Sequence, residues 1–109
     1  MNVTIESSGN LVIAYLYGEI DHHTAVDIRD KIDNALSFIK PQHLILDFKN
    51  VTFMDSSGIA IIINCIRRMR ELRGEVIVEN VPPQPMKVLR ASGLEQIVKI
   101  EERGLVYES

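Results

Sequence analysis

Tryptophan is absent from this chain, and cysteine occurs once, at Cys65. A single thiol excludes an intramolecular disulfide. The only histidines are His22, His23 and His43, and no spacing among them matches a zinc or iron site. His22 and His23 are adjacent at a helix start, point in different directions and make poor joint ligands, so no metal is expected. Long apolar runs are also missing. The longest aliphatic run, residues 59–63, is far shorter than the roughly 20 residues a membrane-spanning helix needs. The first ten residues hold polar side chains and no apolar signal-peptide core. There is no basic excess either: 12 Lys and Arg stand against 15 Asp and Glu, a net charge of −3. Nucleic-acid binding calls for a concentrated basic surface. The one basic cluster, Arg67, Arg68, Arg70 and Arg73, is interrupted by Glu71 and reads as a solvated helix face. These absences point to a cytoplasmic protein with neither nucleic acid nor membrane as partner.

What is present suits one compact domain. The 109 residues are too few for two cores, and the 46% hydrophobic and 25% charged fractions are ordinary for a globular chain. A single domain over 1–109 is expected, with its ordered core at about residues 2–100.

Residues 2–6 alternate as an edge strand, 7–10 form a polar turn, and 11–17 read as a more buried strand, together a hairpin. Gly18 is expected to end that strand. Glu19-Ile20-Asp21 leads into a helix capped by Asp21, or by Thr24 with Asp27 as a capping box. Ala25, Ile28, Ile32, Ala35, Leu36 and Ile39 make its apolar stripe, and Pro41 closes it. Residues 43–48 are a strand, and 50–53 connect it to the segment Met54-Asp55-Ser56-Ser57-Gly58.

Residues 59–73 are rich in isoleucine at first, which favours a strand. Their length and the following Gly74 favour a helix, with Ile61, Ile62, Cys65, Met69 and Leu72 on one face and Ile66 at its border. Then come a strand at 75–79, a proline-rich connector at 81–85, a short helix at 86–91 and a last strand at 97–100. The order β-β-α-β-α-β-α-β implies an α/β domain with a mixed sheet, parallel through the helical crossovers and antiparallel at the hairpin.

The candidate chemistry lies at residues 54–58. Ser56 and Ser57 lack the G-x-S-x-G context of a hydrolase nucleophile, and the chain is short for a base, an oxyanion hole and a substrate pocket. An enzyme is not expected. No G-x-G-x-x-G or Walker-type loop occurs, and Gly9, Gly18 and Gly58 stand alone at element ends. Serine is a favoured helix N-cap. A helix start also tolerates a phosphoserine, whose added charge of about −1.5 to −2 meets free N–H groups and the dipole. The residues alone leave cap and phosphoacceptor open, and Ser56 against Ser57. Asp55 beside them would add to repulsion from an acidic partner surface. Ile59 and Ile63 fall off the main apolar stripe, toward Arg67 and Arg70. They are either an exposed contact strip or covered by another element.

Two stretches resemble the STAS-domain anti-sigma factor antagonists, most of all those of the sporulation anti-sigma-F type. Gly18-Glu19-Ile20-Asp21-His22-His23-Thr24-Ala25 is similar to the segment leading into their first helix, and Phe53-Met54-Asp55-Ser56-Ser57-Gly58 to their phosphorylation loop. The resemblance implies a mixed sheet of four to five strands with helices mainly on one face. It also implies a partner switch. The unphosphorylated form binds an anti-sigma factor that is itself a serine kinase, which releases the sigma factor. Phosphorylation inactivates the antagonist, and a PP2C-type phosphatase restores it.

Carried onto this chain, the acceptor is Ser56, the residue directly after the Asp of the loop, with Ser57 as a helix cap. Glu19, Asp21 and His22, together with Asp55, Ser57, Gly58, Ile59 and Ile63, form the expected partner surface. No cofactor is expected on this chain, since ATP-Mg belongs to the kinase. The chain departs from the pattern at Ile59-Ala60, where leucine and then glycine are usual, and in a C-terminal stretch, 101–109, short for the family's last helix. The alternative is a STAS scaffold module of a general-stress signalling assembly.

Overall fold

The computed structural model describes residues 2–102. Strands β1 (Val3–Ser8) and β2 (Leu11–Ile20) form the antiparallel hairpin, turning at Gly9-Asn10. Helix α1 (His22–Ile39), strand β3 (His43–Met54), helix α2 (Ser56–Glu71), strand β4 (Glu75–Glu79), helix α3 (Pro83–Ser92), a 3-10 turn (Leu94–Gln96) and strand β5 (Lys99–Glu101) follow. The five strands lie in the order β1-β2-β3-β4-β5, parallel from β2 onward. This is the mixed α/β sheet the sequence implies.

Alternation along the strands decides where the core sits. Val12, Ala14 and Leu16 of β2, Leu44, Leu46 and Phe48 of β3, and Val76 and Val78 of β4 all turn to one face. Ile28, Ile32 and Leu36 of α1, Ile61, Ile62, Cys65 and Met69 of α2, and Leu89 of α3 pack against it in one cluster. Burying a side chain such as Ile or Leu contributes about 1.5–3 kcal/mol, so this one-sided cluster holds the three helices on the sheet. The opposite face mixes polar residues with half-buried Leu11, Ile13, Tyr15 and Ile77.

Several expected boundaries shift, each for a local reason. Gly18 does not end β2. It adopts a left-handed φ of +76° within the strand, next to breaks in the β2–β3 register. The bulge is tied by the Asn2 side chain, whose Nδ2 donates to the carbonyls of Tyr17 (2.9 Å) and Glu19 (3.3 Å). A Cβ at Gly18 would meet that same Nδ2 at 2.9 Å. With β2 carried on to Ile20, residues 50–53 pair with it and are strand rather than connector. Helix α2 begins at Ser56, three residues before the apolar run, because Asp55 caps it. Helix α3 begins within the proline-rich stretch, since proline suits a first helical turn whose N–H groups lack partners anyway. The last strand starts at Lys99 rather than Ile97. The C-terminal stretch beyond residue 102, including most of 101–109, lies outside the described residues.

Candidate functional site

Strands β2 and β3 run in parallel and end side by side, Ile20 opposite Met54. The Asp55 N–H donates to the Ile20 carbonyl at 3.1 Å, tying the two strand-to-helix junctions together. The starts of α1 and α2 therefore emerge at the same edge, at the C-terminal ends of parallel strands, where open α/β sheets usually place their sites. The two stretches that resemble a known family are separated by 27 residues in sequence and adjacent in space.

Each helix start is capped by an aspartate. Asp21 Oδ1 accepts from the N–H groups of His23 (2.9 Å) and Thr24 (3.0 Å), and Thr24 Oγ1 accepts from the Asp21 N–H at 3.0 Å. The capping box thus pairs Asp21 with Thr24, not Thr24 with Asp27. The Thr24 amide, more than any other group, holds the Asp21 carboxyl below its usual pKa. On α2, Asp55 Oδ1 accepts the Ser57 N–H at 2.7 Å. The cap expected of Ser57 is therefore supplied by Asp55. Ser56 is the first residue of α2 and is exposed, whereas Ser57 is half-buried.

The remaining candidates separate by exposure. Glu19 and His22 are exposed, and the His22 and His23 rings meet edge to face with centroids 5.7 Å apart. Gly58 is buried, and a Cβ there would overlap Met54 Sδ and Cγ. It belongs to the support of the loop. Ile63 is 43% exposed, while Ile59 is half-buried and packs against the core. Ser56, Ala60, Ile63 and Arg67 are all exposed at spacings of four, three and four, which makes one outward ridge of α2.

Other parts of the site gave no clear signal in the sequence. Gln84 of α3 reaches back to Met54, its Oε1 accepting the Met54 N–H at 2.8 Å and its Nε2 donating to the Met54 carbonyl at 2.9 Å. Phe53, within the recognised loop, and Tyr17 are 43% and 41% exposed. Val26 and Arg29 of α1 line a cleft of about 220 Å³ with His22, Ala25, Ser57, Ala60 and Ile61. The helical spacing of 22, 26 and 29 could have placed them together once the cap at Asp21 was set. Below the cleft, Asp33 joins the helices by accepting from Asn64 Nδ2 (2.9 Å) and pairing with Arg68 (3.1 Å). Among the described residues no group of three His, Cys, Asp or Glu side chains gathers as for a metal, and no helix is long and apolar enough to cross a membrane.

The profile of the STAS domain family matches residues 2–103. The chain belongs to the STAS domain family. This STAS domain is 34% identical to the anti-sigma F factor antagonist of Paenibacillus polymyxa over 92% of its length and 86% of the relative's. It is 35% identical to that of Lysinibacillus sphaericus over 76% and 71%. Its fold superposes on the anti-sigma factor antagonist SpoIIAA in its unphosphorylated form with a TM-score of 0.82 at 29% identity, covering 97% and 93% of the two chains. For the phosphorylated form of SpoIIAA from Bacillus the TM-score is 0.73, covering 97% and 96%.

Proposed function

We propose that this STAS domain is an anti-sigma factor antagonist and a binding regulator, not an enzyme. In its unphosphorylated form it binds an anti-sigma factor with serine kinase activity and frees a sigma factor. Phosphorylation of Ser56 by that kinase, which holds the ATP-Mg, switches it off, and a PP2C-type phosphatase resets it in the cytoplasm. The observation that carries the reading is the division of labour at the start of α2. Asp55 fulfils the cap, and Ser56 stands exposed beside it with no side-chain hydrogen bond among the described residues. The relatives' role as anti-sigma F factor antagonists supports it, and so does the existence of SpoIIAA in both phosphorylation states. Anti-sigma-B antagonists match at only 23–24% identity, which favours the sporulation type over the stress type.

The physics of the switch follows from the placement. A phosphate on Ser56 sits at a helix N-terminus, which tolerates it, so the fold survives modification. The surface of the free form, built from Glu19, Asp21, His22, Phe53, Asp55 and the ridge of α2, gains nearly two negative charges beside an existing carboxylate. Like charges brought together and desolvated at an interface cost several kcal/mol, and about 1.4 kcal/mol already weakens binding tenfold. The test is intact-mass analysis and peptide mapping after incubation with a sporulation-type anti-sigma kinase and Mg-ATP. One phosphate on Ser56, absent from Ser56→Ala, is expected. An unmodified protein in the presence of active kinase removes the reading.

A further inference from the structure

The arginines of this domain divide into two groups. Arg29, Arg68 and Arg90 each reach a carboxylate. Arg67, Arg70 and Arg73 make no ion pair or side-chain hydrogen bond among the described residues; Arg67 and Arg70 are exposed on the C-terminal half of α2, and Arg73 is exposed just past its end. In a chain of net charge −3 they are a local concentration of uncommitted positive charge. Arg70 also borders a groove of about 320 Å³, formed where β5 is too short to cover the start of β4. Ile66 and Met69 of α2, Val76 of β4, and Ile97 and Val98 ahead of β5 supply its apolar lining. Ile97 is 64% exposed. Lys99 stands at the rim, 3.5 Å from Glu101, and the rim carboxylate of Glu75 is engaged by His43 Nδ1 at 2.9 Å.

We infer that this groove is a second anchor for the anti-sigma factor kinase. It receives an acidic segment of that partner, with one apolar side chain in the groove and its carboxylates on Arg67 and Arg70. The inference rests on the proposed function for the partner's identity. Two observations select the occupant. The charge asks for carboxylates around an apolar anchor, and the exposed ridge Ser56–Ala60–Ile63–Arg67 continues at helical spacing to Arg70, which borders the groove. From Ser56 to Arg70 is about 21 Å along the helix axis, within the span of one ordinary interface. The two ends do different work. Phosphate at Ser56 disfavours binding at one end, while the groove lies more than a Debye length away, where the phosphate's field is largely screened and the groove's attraction is left intact.

The experiment measures the affinity of the purified domain for the kinase with ADP and magnesium, at low and high salt. The variants are Arg67→Glu/Arg70→Glu, Ile97→Asp and Ser56→Glu. The altered arginines and Ile97 are exposed, and circular dichroism checks that each variant is folded. The double charge reversal is expected to weaken binding by about tenfold or more at low salt, with a smaller loss at high salt. It raises KM for phosphorylation of Ser56 and leaves kcat unchanged. Ile97→Asp is expected to weaken binding at both salts. Affinities within about twofold of wild type for both groove variants, with Ser56→Glu still impaired, overturn the groove and leave the switch standing. Absence of binding by the wild-type domain overturns both.

Discussion

Gln84 holds Met54 as a neighbouring strand would, taking its N–H at 2.8 Å and giving to its carbonyl at 2.9 Å. Strand β3 has no β4 partner beyond Asp47, so this side chain from α3 satisfies the last residue of β3, directly before the Asp55 cap of α2. Met54 is fully buried, and its backbone groups have little access to water. Gln84→Ala is therefore expected to destabilise the fold by about 1–3 kcal/mol in urea denaturation, the cost of leaving buried polar groups unpaired. Gln84→Glu keeps the acceptor and loses the donor, so it also destabilises, with faster hydrogen exchange at the start of α2 in both variants.

Gly58 and Met54 are coupled by space rather than hydrogen bonds. Alanine in a helix is ordinarily favoured over glycine by about 1 kcal/mol. At Gly58 the added methyl would overlap Met54 Sδ and Cγ, and overpacking of this kind costs about 1–3 kcal/mol. Gly58→Ala is expected to lower the melting temperature. In a Met54→Ala background the overlap is gone, and the same substitution becomes neutral or stabilising. A double-mutant cycle by thermal denaturation reads the reversal directly; additive losses would contradict the packing account.

Much of this was legible in the sequence because it is written in periodicity. The stripes of α1 and α2 stand out from Ile28-Ile32-Leu36 and Ile61-Cys65-Met69, and they fix the covered face of the sheet. The motifs at residues 18–25 and 53–58 fall on the two helix starts that the sheet brings together. The errors lie where local rules compete. Gly18 reads as a strand end, but a bulge held by Asn2 lets the strand continue. Serine reads as the cap of α2, but Asp55 precedes it and its carboxylate accepts the Ser57 amide. The prolines read as a connector, but Pro83 suits a first helical turn. Gln84 was not legible at all, because its partner is 30 residues away and no local pattern encodes such a contact.

Cys65 should be chemically silent in the folded domain. It lies on the core face of α2, and burial above all, with the Asp33 charge second, pushes its thiol pKa up to about 12. A native-state thiol reagent at pH 8 is expected to react only as fast as the domain unfolds, so labelling serves as a direct reporter of opening. The shift also contributes to the alkaline limb of stability. The folded pKa lies above the ordinary 9.0, so the contribution is fully present below pH 9 and is lost as pH rises toward 12. Cys65→Ala removes that component of the pH dependence, at the cost of a small cavity.

Asp21 contributes to the acid limb in the opposite sense. Its carboxyl is held below the ordinary 3.8, first by the Thr24 amide and further by the His23 amide and the Thr24 hydroxyl. A depressed folded pKa contributes stability that is present above pH 3.8 and disappears as pH falls through the folded value. Asparagine caps helices about as well as aspartate but does not titrate. Asp21→Asn is therefore expected to keep the neutral-pH melting temperature close to wild type and to flatten its fall below pH 4. Asp21→Ala, with no acceptor for the two amides, lowers the melting temperature at neutral pH and also flattens the acid limb. Thermal melts of the three proteins from pH 7 to pH 3 decide the matter. An Asp21→Asn curve parallel to wild type throughout would show that the carboxylate charge at this cap contributes nothing to stability. Because the same residue faces the proposed partner surface, kinase affinity measured on Asp21→Asn at neutral pH then separates its charge from its cap.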